Sequence, residues 1–124
     1  MHELALCRGL LQQVTRIAEE HEASAIKSIH LKIGPLAGIE IELLKRSFPL
    51  VAHGTPAEEA LLEVIAVKAM IHCDECDEKS ELDTVQLICP HCQSIATTLL
   101  SGDEMTLENI VLEQQEVKAT HHVH

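Results

Sequence analysis

Cys73-Asp74-Glu75-Cys76 and Cys89-Pro90-His91-Cys92, separated by residues 77–88, decide how the rest of the chain is read. Each pair leaves two residues between its cysteines, which lets the backbone turn tightly enough for both sulfurs to face one ion. Four thiolates satisfy the tetrahedral, soft-ligand preference of zinc. The doubling of the motif weighs against a redox role. A thioredoxin-like site needs one CxxC opening a helix after a strand, whereas here there are two, and Pro90 lies inside the second. An iron–sulfur centre is the alternative occupant of four cysteines. With four sulfur ligands no coordination position stays open to water, and no HExxH motif occurs, so hydrolysis at the metal is not expected. Residues 72–100 offer few core candidates. Ligation is therefore expected to supply much of their folding energy, with the stretch between the pairs forming a small hairpin.

On the N-terminal side of this module, residues 4–21 have helical periodicity. Leu4, Cys7, Leu11, Val14 and Ala18 recur at steps of three and four, and Leu10 and Ile17 widen the stripe. Cys7 falls on that stripe and is expected to pack in the core as a small apolar residue. Residues 25–33 alternate as a strand, ended by Gly34-Pro35. Residues 40–53 fit a second helix with Ile41, Leu44, Phe48 and Val51 on one face, although Pro49 removes a hydrogen bond. Gly54 is a stop signal, and Thr55-Pro56-Ala57-Glu58 has the form of a capping box. His21 and His53 are expected near helix C-termini, where the dipole favours their charged form. Residues 61–71 read as one long strand. Beyond the cysteines, residues 95–100 and 104–114 read as strands around the turn Ser101-Gly102-Asp103. These limits predict one domain from residues 1–71 plus 102–116, a metal-binding domain at 72–101, and a polar, flexible tail at 117–124 whose His121, His122 and His124 either store or capture metal or form an incidental polar end, the latter being favoured.

Composition narrows the function. The 124 residues carry 9 basic and 20 acidic side chains, a formal charge of -11. Nucleic-acid binding draws most of its affinity from basic side chains on phosphate. Phe48 is the one aromatic residue, so stacking surface is missing as well. An acidic chain suits a cation carrier or a partner with a basic face, or simply stays in solution. Glu3, Arg8, Arg16, Glu19 and Glu20 interrupt any signal-peptide-like run, and nothing approaches a membrane span. Cysteines arranged for a metal rather than a disulfide framework point to a reducing compartment, and the cytoplasm is expected.

The chain opens Met1-His2-Glu3. A bulky second residue disfavours removal of the initiator, so the amine of Met1, the amide of His2 and its imidazole can chelate one ion through successive rings. Glu3 adds a carboxylate or its amide. Nitrogen-rich tetragonal sets favour Ni(II) and Cu(II). Taken alone, a histidine at position 2 is ordinarily an exposed terminal residue.

Met1-His2-Glu3-Leu4-Ala5-Leu6-Cys7 resembles the opening of the HypA/HybF family of hydrogenase nickel-insertion chaperones. The likeness continues in Leu31-Lys32-Ile33-Gly34, in Ser47-Phe48, in Val51-Ala52-His53-Gly54-Thr55 and in the paired CxxC motifs, over residues 1 to about 112. The resemblance implies an α+β fold, two helices on a small antiparallel three-stranded sheet, with a zinc-ribbon-like domain inserted before the last strand. It implies a nickel site at His2, with the Met1 amine, Glu3 and the acidic position Glu40 as further candidates, and zinc on Cys73, Cys76, Cys89 and Cys92. It also implies partners: a nickel-binding GTPase, the precursor of the [NiFe]-hydrogenase large subunit and, in some organisms, urease maturation proteins. Two features depart from the family pattern. His30 stands where an aromatic residue is usual, and Asp77 and Gln93 follow the CxxC pairs where some members carry histidine. The reading is a nickel metallochaperone with structural zinc, not an enzyme. A zinc-ribbon adaptor without nickel is the alternative.

Overall fold

The computed structural model describes residues 2–83, 85–113 and 115–123, and for His2, Thr120, His121 and His122 it describes the backbone alone. The elements are α1 (His2–Glu20), β1 (Ile26–Ile33), α2 (Ile41–Ala52), β2 (Leu61–Ala66), β3 (Ala69–Cys73), β4 (Lys79–Leu82), β5 (Thr97–Ser101), β6 (Met105–Leu112) and β7 (Glu116–Val123). They form a four-stranded sheet, β2-β1-β6-β7, and a three-stranded sheet, β4-β3-β5. Two compact units result, residues 1–32, 39–65 and 105–124 in one and residues 33–38 and 66–104 in the other. No helix among the described residues is long and apolar enough to cross a membrane.

In the larger unit the helices pack against each other, and α1 also packs on β6 and β7. Cys7, Leu10, Val14 and Ala18 are buried, as the helical stripe requires. Leu4 and Leu11 lie half-exposed at its rim, and Glu3 takes a buried place beside them. The Cys7 thiol approaches the Leu44 carbonyl of α2 at 3.6 Å. Burial, helped by the Glu3 carboxylate, pushes its pKa up to about 11, so it packs as an inert small residue. From α2, Leu44, Ser47, Phe48 and Ala52 are buried, and Pro49 is accommodated within the helix. The expected capping box forms only in part. The Thr55 hydroxyl accepts from the Ala57 N–H at 3.2 Å, but the Glu58 carboxylate pairs with His53 at 2.8 Å instead of reaching back.

The two helices and the antiparallel strands are as read from the sequence, and three details differ. First, the run 61–71 is two strands in two sheets. The Val67 N–H bonds to the Ile33 carbonyl at 3.0 Å, after which the chain passes Gly102. A Cβ on Gly102 would lie 2.6 Å from the Ala69 Cα, and one on Gly34 would lie 2.2 Å from the Gly102 carbonyl oxygen. Two glycines therefore permit a backbone crossing where the strand changes partners. Second, the Ile26 N–H bonds to the Pro56 carbonyl, so like ends of β1 and β2 meet. That is a parallel pair joined by the α2 crossover, at the edge of a sheet that is antiparallel elsewhere. Third, the sheet has four strands rather than three, because the expected flexible tail at 117–124 is β7. Met105 pairs with Val123, Thr106 with His122, Leu107 with His121 and Ile110 with Val117. Val123 is buried. The polar histidines hide a strand that satisfies the open edge of β6. His124 lies outside the described residues.

At the far end of α1, Glu113 accepts from the Ser24 N–H at 2.8 Å, the Ser24 hydroxyl at 2.6 Å and the Ala25 N–H at 3.0 Å. The Ser24 hydroxyl, then its amide, hold the Glu113 pKa below the usual carboxylate range. A lowered folded-state pKa stabilises the fold above the unfolded value of about 4.3 and loses that contribution as pH falls through the folded one. Glu113→Gln should therefore melt at a lower temperature than the parent at neutral pH, and the gap should close below about pH 4. Thermal unfolding of both proteins across that range checks this, and a gap that persists in acid would refute it.

Candidate metal centre

The four-cysteine site rests on two loops of the same design. In the first, the Cys73 N–H donates to the Glu78 carbonyl at 2.8 Å and the Asp77 N–H to the Cys73 carbonyl at 2.9 Å. In the second, the Cys89 N–H donates to the Ser94 carbonyl at 3.0 Å and the Gln93 N–H to the Cys89 carbonyl at 2.9 Å. Each loop closes on a residue in the left-handed region, Asp77 at φ 63 and Gln93 at φ 65. That conformation costs a non-glycine residue about 1 kcal/mol or more, a strain that metal ligation can offset. The first loop is also the turn of the hairpin between β3 and β4, whose register runs from Ala69↔Leu82 to His72↔Lys79.

The loops bring all four Sγ atoms within 4.8 Å of one another. Cys73 and Cys92 approach to 3.6 Å, as do Cys76 and Cys89. A tetrahedron of sulfurs about 2.3 Å from a central zinc has edges of about 3.8 Å. The spacing fits one such ion and leaves no room for a multi-iron cluster among the sulfurs. Cys73 and Cys89 are buried, and Cys92 is exposed. The Cys92 amide, followed by that of His91, holds the Cys89 thiol down to about 7. At Cys76 the Glu78 amide acts in the same sense, but burial and the neighbouring thiols outweigh it and push the group up to about 12. Four thiolates at neutral pH therefore require a cation, whose binding displaces protons.

His72 clamps the first loop. Its Nε2 lies 2.6 Å from the Asp77 carboxylate and its Nδ1 3.3 Å from that of Asp74, and the Thr98 hydroxyl donates to Asp74 at 3.2 Å. The bond to Asp77 raises the His72 pKa, with loss of water opposing it. A histidine directly before a CxxC motif was the available signal. His91 is exposed.

The N-terminal candidates are divided. Met1 lies outside the described residues, and so does the side chain of His2, whose backbone opens α1. Glu3 and Glu40 are brought together, in a way that spacing does not reveal. The buried Glu3 carboxylate accepts from the Glu40 N–H at 3.1 Å. Glu40 is the residue ahead of α2, its side chain is exposed and it makes no capping bond of its own.

The family model described as hydrogenase/urease nickel incorporation, metallochaperone, hypA matches residues 1–112. The hydrogenase maturation factor HypA of Nitrosospira multiformis is 36% identical over 112 residues, 90% of this chain and 97% of that protein. The Aquifex aeolicus protein of the same name is 34% identical over 113 residues, 91% and 98% of the two chains. The solution structure of the Ni metallochaperone HypA from Helicobacter pylori shares the fold, with a TM-score of 0.67 at 18% identity over 91% of this chain and 98% of that one. This chain, with its four-cysteine metal site, belongs to the HypA family of hydrogenase-maturation nickel metallochaperones.

Proposed function

We propose that this protein carries Ni(II) at its N-terminus and passes it to the precursor of a [NiFe]-hydrogenase large subunit in the cytoplasm, in concert with a nickel-binding GTPase and without catalysing a reaction itself. The observation that carries this reading is the bond from Glu3 to the Glu40 amide, which ties the residue next to His2 to the start of α2. The first turn of α1 is thereby held in place. The Met1 amine and the His2 amide and imidazole are the proposed donors, with Glu3 and Glu40 beside them. A terminal site open to ligand exchange suits a carrier, because an incoming partner can replace donors one at a time.

In the same reading residues 72–101 are a structural zinc domain held by Cys73, Cys76, Cys89 and Cys92. The ion links the two cysteine loops and presents a fixed surface for docking. Service to urease maturation is a further role consistent with the family description. Metal content tests the pair of sites together. As purified, the protein should hold about one zinc per chain, and after incubation with nickel and removal of the excess it should gain one nickel without losing zinc. Zinc without any gain of nickel would favour an adaptor role. Iron in place of zinc would overturn the assignment of the cysteine site.

A further inference from the structure

The two cysteine loops share a backbone design but not their surroundings. Cys73 ends β3, which pairs with β4 on one side and with β5 on the other, as far as Cys73↔Thr97. The Asp74 N–H donates to the Ala96 carbonyl at 2.9 Å, the Thr98 hydroxyl donates to the Asp74 carboxylate, and His72 bridges Asp74 and Asp77. The second loop lies between β4 and β5, in a stretch without strand structure. It is tied to β5 by the Thr97 hydroxyl, which donates to the Leu87 carbonyl at 2.8 Å. Pro90, His91, Cys92 and Gln93 are all exposed, whereas Cys73 and Cys89 are buried and Cys76 is half-buried. Charge differs as well. Asp74, Glu75, Asp77 and Glu78 flank Cys76, while residues 84–102 contain no Asp, Glu, Lys or Arg. An anionic reagent therefore meets less repulsion at Cys92 than at Cys76. Sulfur contacts cross between the loops. The Cys92 Sγ lies 3.6 Å from that of Cys73, and the Cys76 Sγ lies 3.6 Å from that of Cys89.

We propose that Cys92 is the residue at which disulfide oxidants open the four-cysteine site, and that the first linkage formed is Cys73–Cys92, between the loops. This inference rests on the reading of the site as zinc-binding and adds a modification to it. A metal-coordinating thiol is held as the thiolate, which is the form that attacks disulfides. Among four such sulfurs, access decides which reacts first. The Cys92 thiolate attacks one sulfur of the oxidant and expels a thiolate, leaving a mixed disulfide. The Cys73 thiolate then attacks the Cys92 sulfur and expels the second thiolate. Two cysteine thiolates are oxidised, one disulfide is reduced to two thiolates, and no proton is consumed. Cys73 needs no access of its own, because its target already lies beside it. With two ligands gone the ion leaves, and the bridge keeps the second loop fastened to β3. Reduction by free thiols regenerates the four thiolates.

The test uses zinc-loaded full-length protein with glutathione disulfide as the oxidant. Metal analysis of the starting protein settles the zinc reading by itself. A chromophoric indicator follows released zinc, and trypsin maps the linkage. Cleavage at Lys68, Lys79 and Lys118 separates residues 69–79, which carry Cys73 and Cys76, from residues 80–118, which carry Cys89 and Cys92. Limited oxidation should release about one equivalent of zinc per bridge and join the two peptides, with fragmentation placing the bridge at Cys73 and Cys92. A thiol reductant with added zinc should reverse both changes. In a parallel measurement, substoichiometric N-ethylmaleimide should mark Cys92 ahead of Cys76. Bridges within either CxxC pair leave the peptides separate and overturn the proposal. So do a first bridge between Cys76 and Cys89, earlier labelling of Cys76, or zinc retained against excess oxidant. Iron in the starting protein overturns the zinc reading itself, whereas zinc with the wrong linkage overturns the proposal alone.

Discussion

His2→Ala should abolish specific nickel binding by the zinc-loaded protein while leaving zinc and fold in place. The imidazole closes a chelate that begins at the terminal amine, so its removal breaks a ring as well as a bond. The loss should exceed the ~100-fold that outer-shell partners of a metal contribute. An added residue before Met1 should hurt comparably, because it keeps the imidazole but turns the amine into an amide. Among the described residues the buried positions of α1 begin at Glu3, Leu6 and Cys7. Circular dichroism and zinc content should therefore match the parent, and hydrogenase maturation in cells should fail unless excess nickel bypasses the carrier. Nickel calorimetry decides between the possible donor sets. Parental binding by His2→Ala sinks the delivery mechanism. A harmless extension beside a damaging His2→Ala would keep the imidazole and remove the amine from the ligand set, leaving Glu3, Glu40 or backbone amides to complete it.

Cys89→Ala should release the zinc and unravel the three-stranded sheet. Structural zinc contributes an apparent ~10–16 kcal/mol to small metal-dependent folds, comparable with or larger than the whole stability of an ordinary domain, about 5–15 kcal/mol. Little else holds this unit. Among the described residues its buried apolar positions outside the cysteines are Ile33, Ala69 and Ile71, while Ile95 is 82% exposed and Val85 64%. The larger unit should persist, because its core comes from α1, α2, β1 and β6 and needs no metal. A loosened segment costs it only a longer loop between β2 and β6, a penalty that grows slowly with length. Hydrogen exchange should show lost protection at Ile71 and Thr98 with retained protection at Leu10 and Leu31. Sulfur-only zinc coordination by X-ray absorption in the parent is the companion result. A shell of mostly nitrogen and oxygen, or zinc retained by Cys89→Ala, would refute the assignment.

The sequence by itself determined whatever depends on local spacing. The two-residue gaps put Cys73 with Cys76 and Cys89 with Cys92, since a loop that short has few ways to turn. The steps of three and four in α1 buried Cys7, Leu10, Val14 and Ala18, and the alternation in β1 buried Ile29, Leu31 and Ile33. Gly34 and Gly102 were legible as turns but not as the place where two backbones cross. Tertiary structure decided the choice of partners. One Val- and Ile-rich run became β2 and β3 because its halves pair in different sheets, and periodicity carries no record of which strand lies alongside. A polar histidine-rich end became β7 because β6 offers unsatisfied backbone groups along its edge, a benefit invisible within the tail itself. The bonds of Glu3 to Glu40, Glu113 to Ser24 and His72 to Asp77 likewise join groups whose meeting follows from chain topology. Covalent spacing acts over a few residues and is written in the chain. Long-range pairing is settled by which surfaces and backbone groups remain unsatisfied once the local elements have formed.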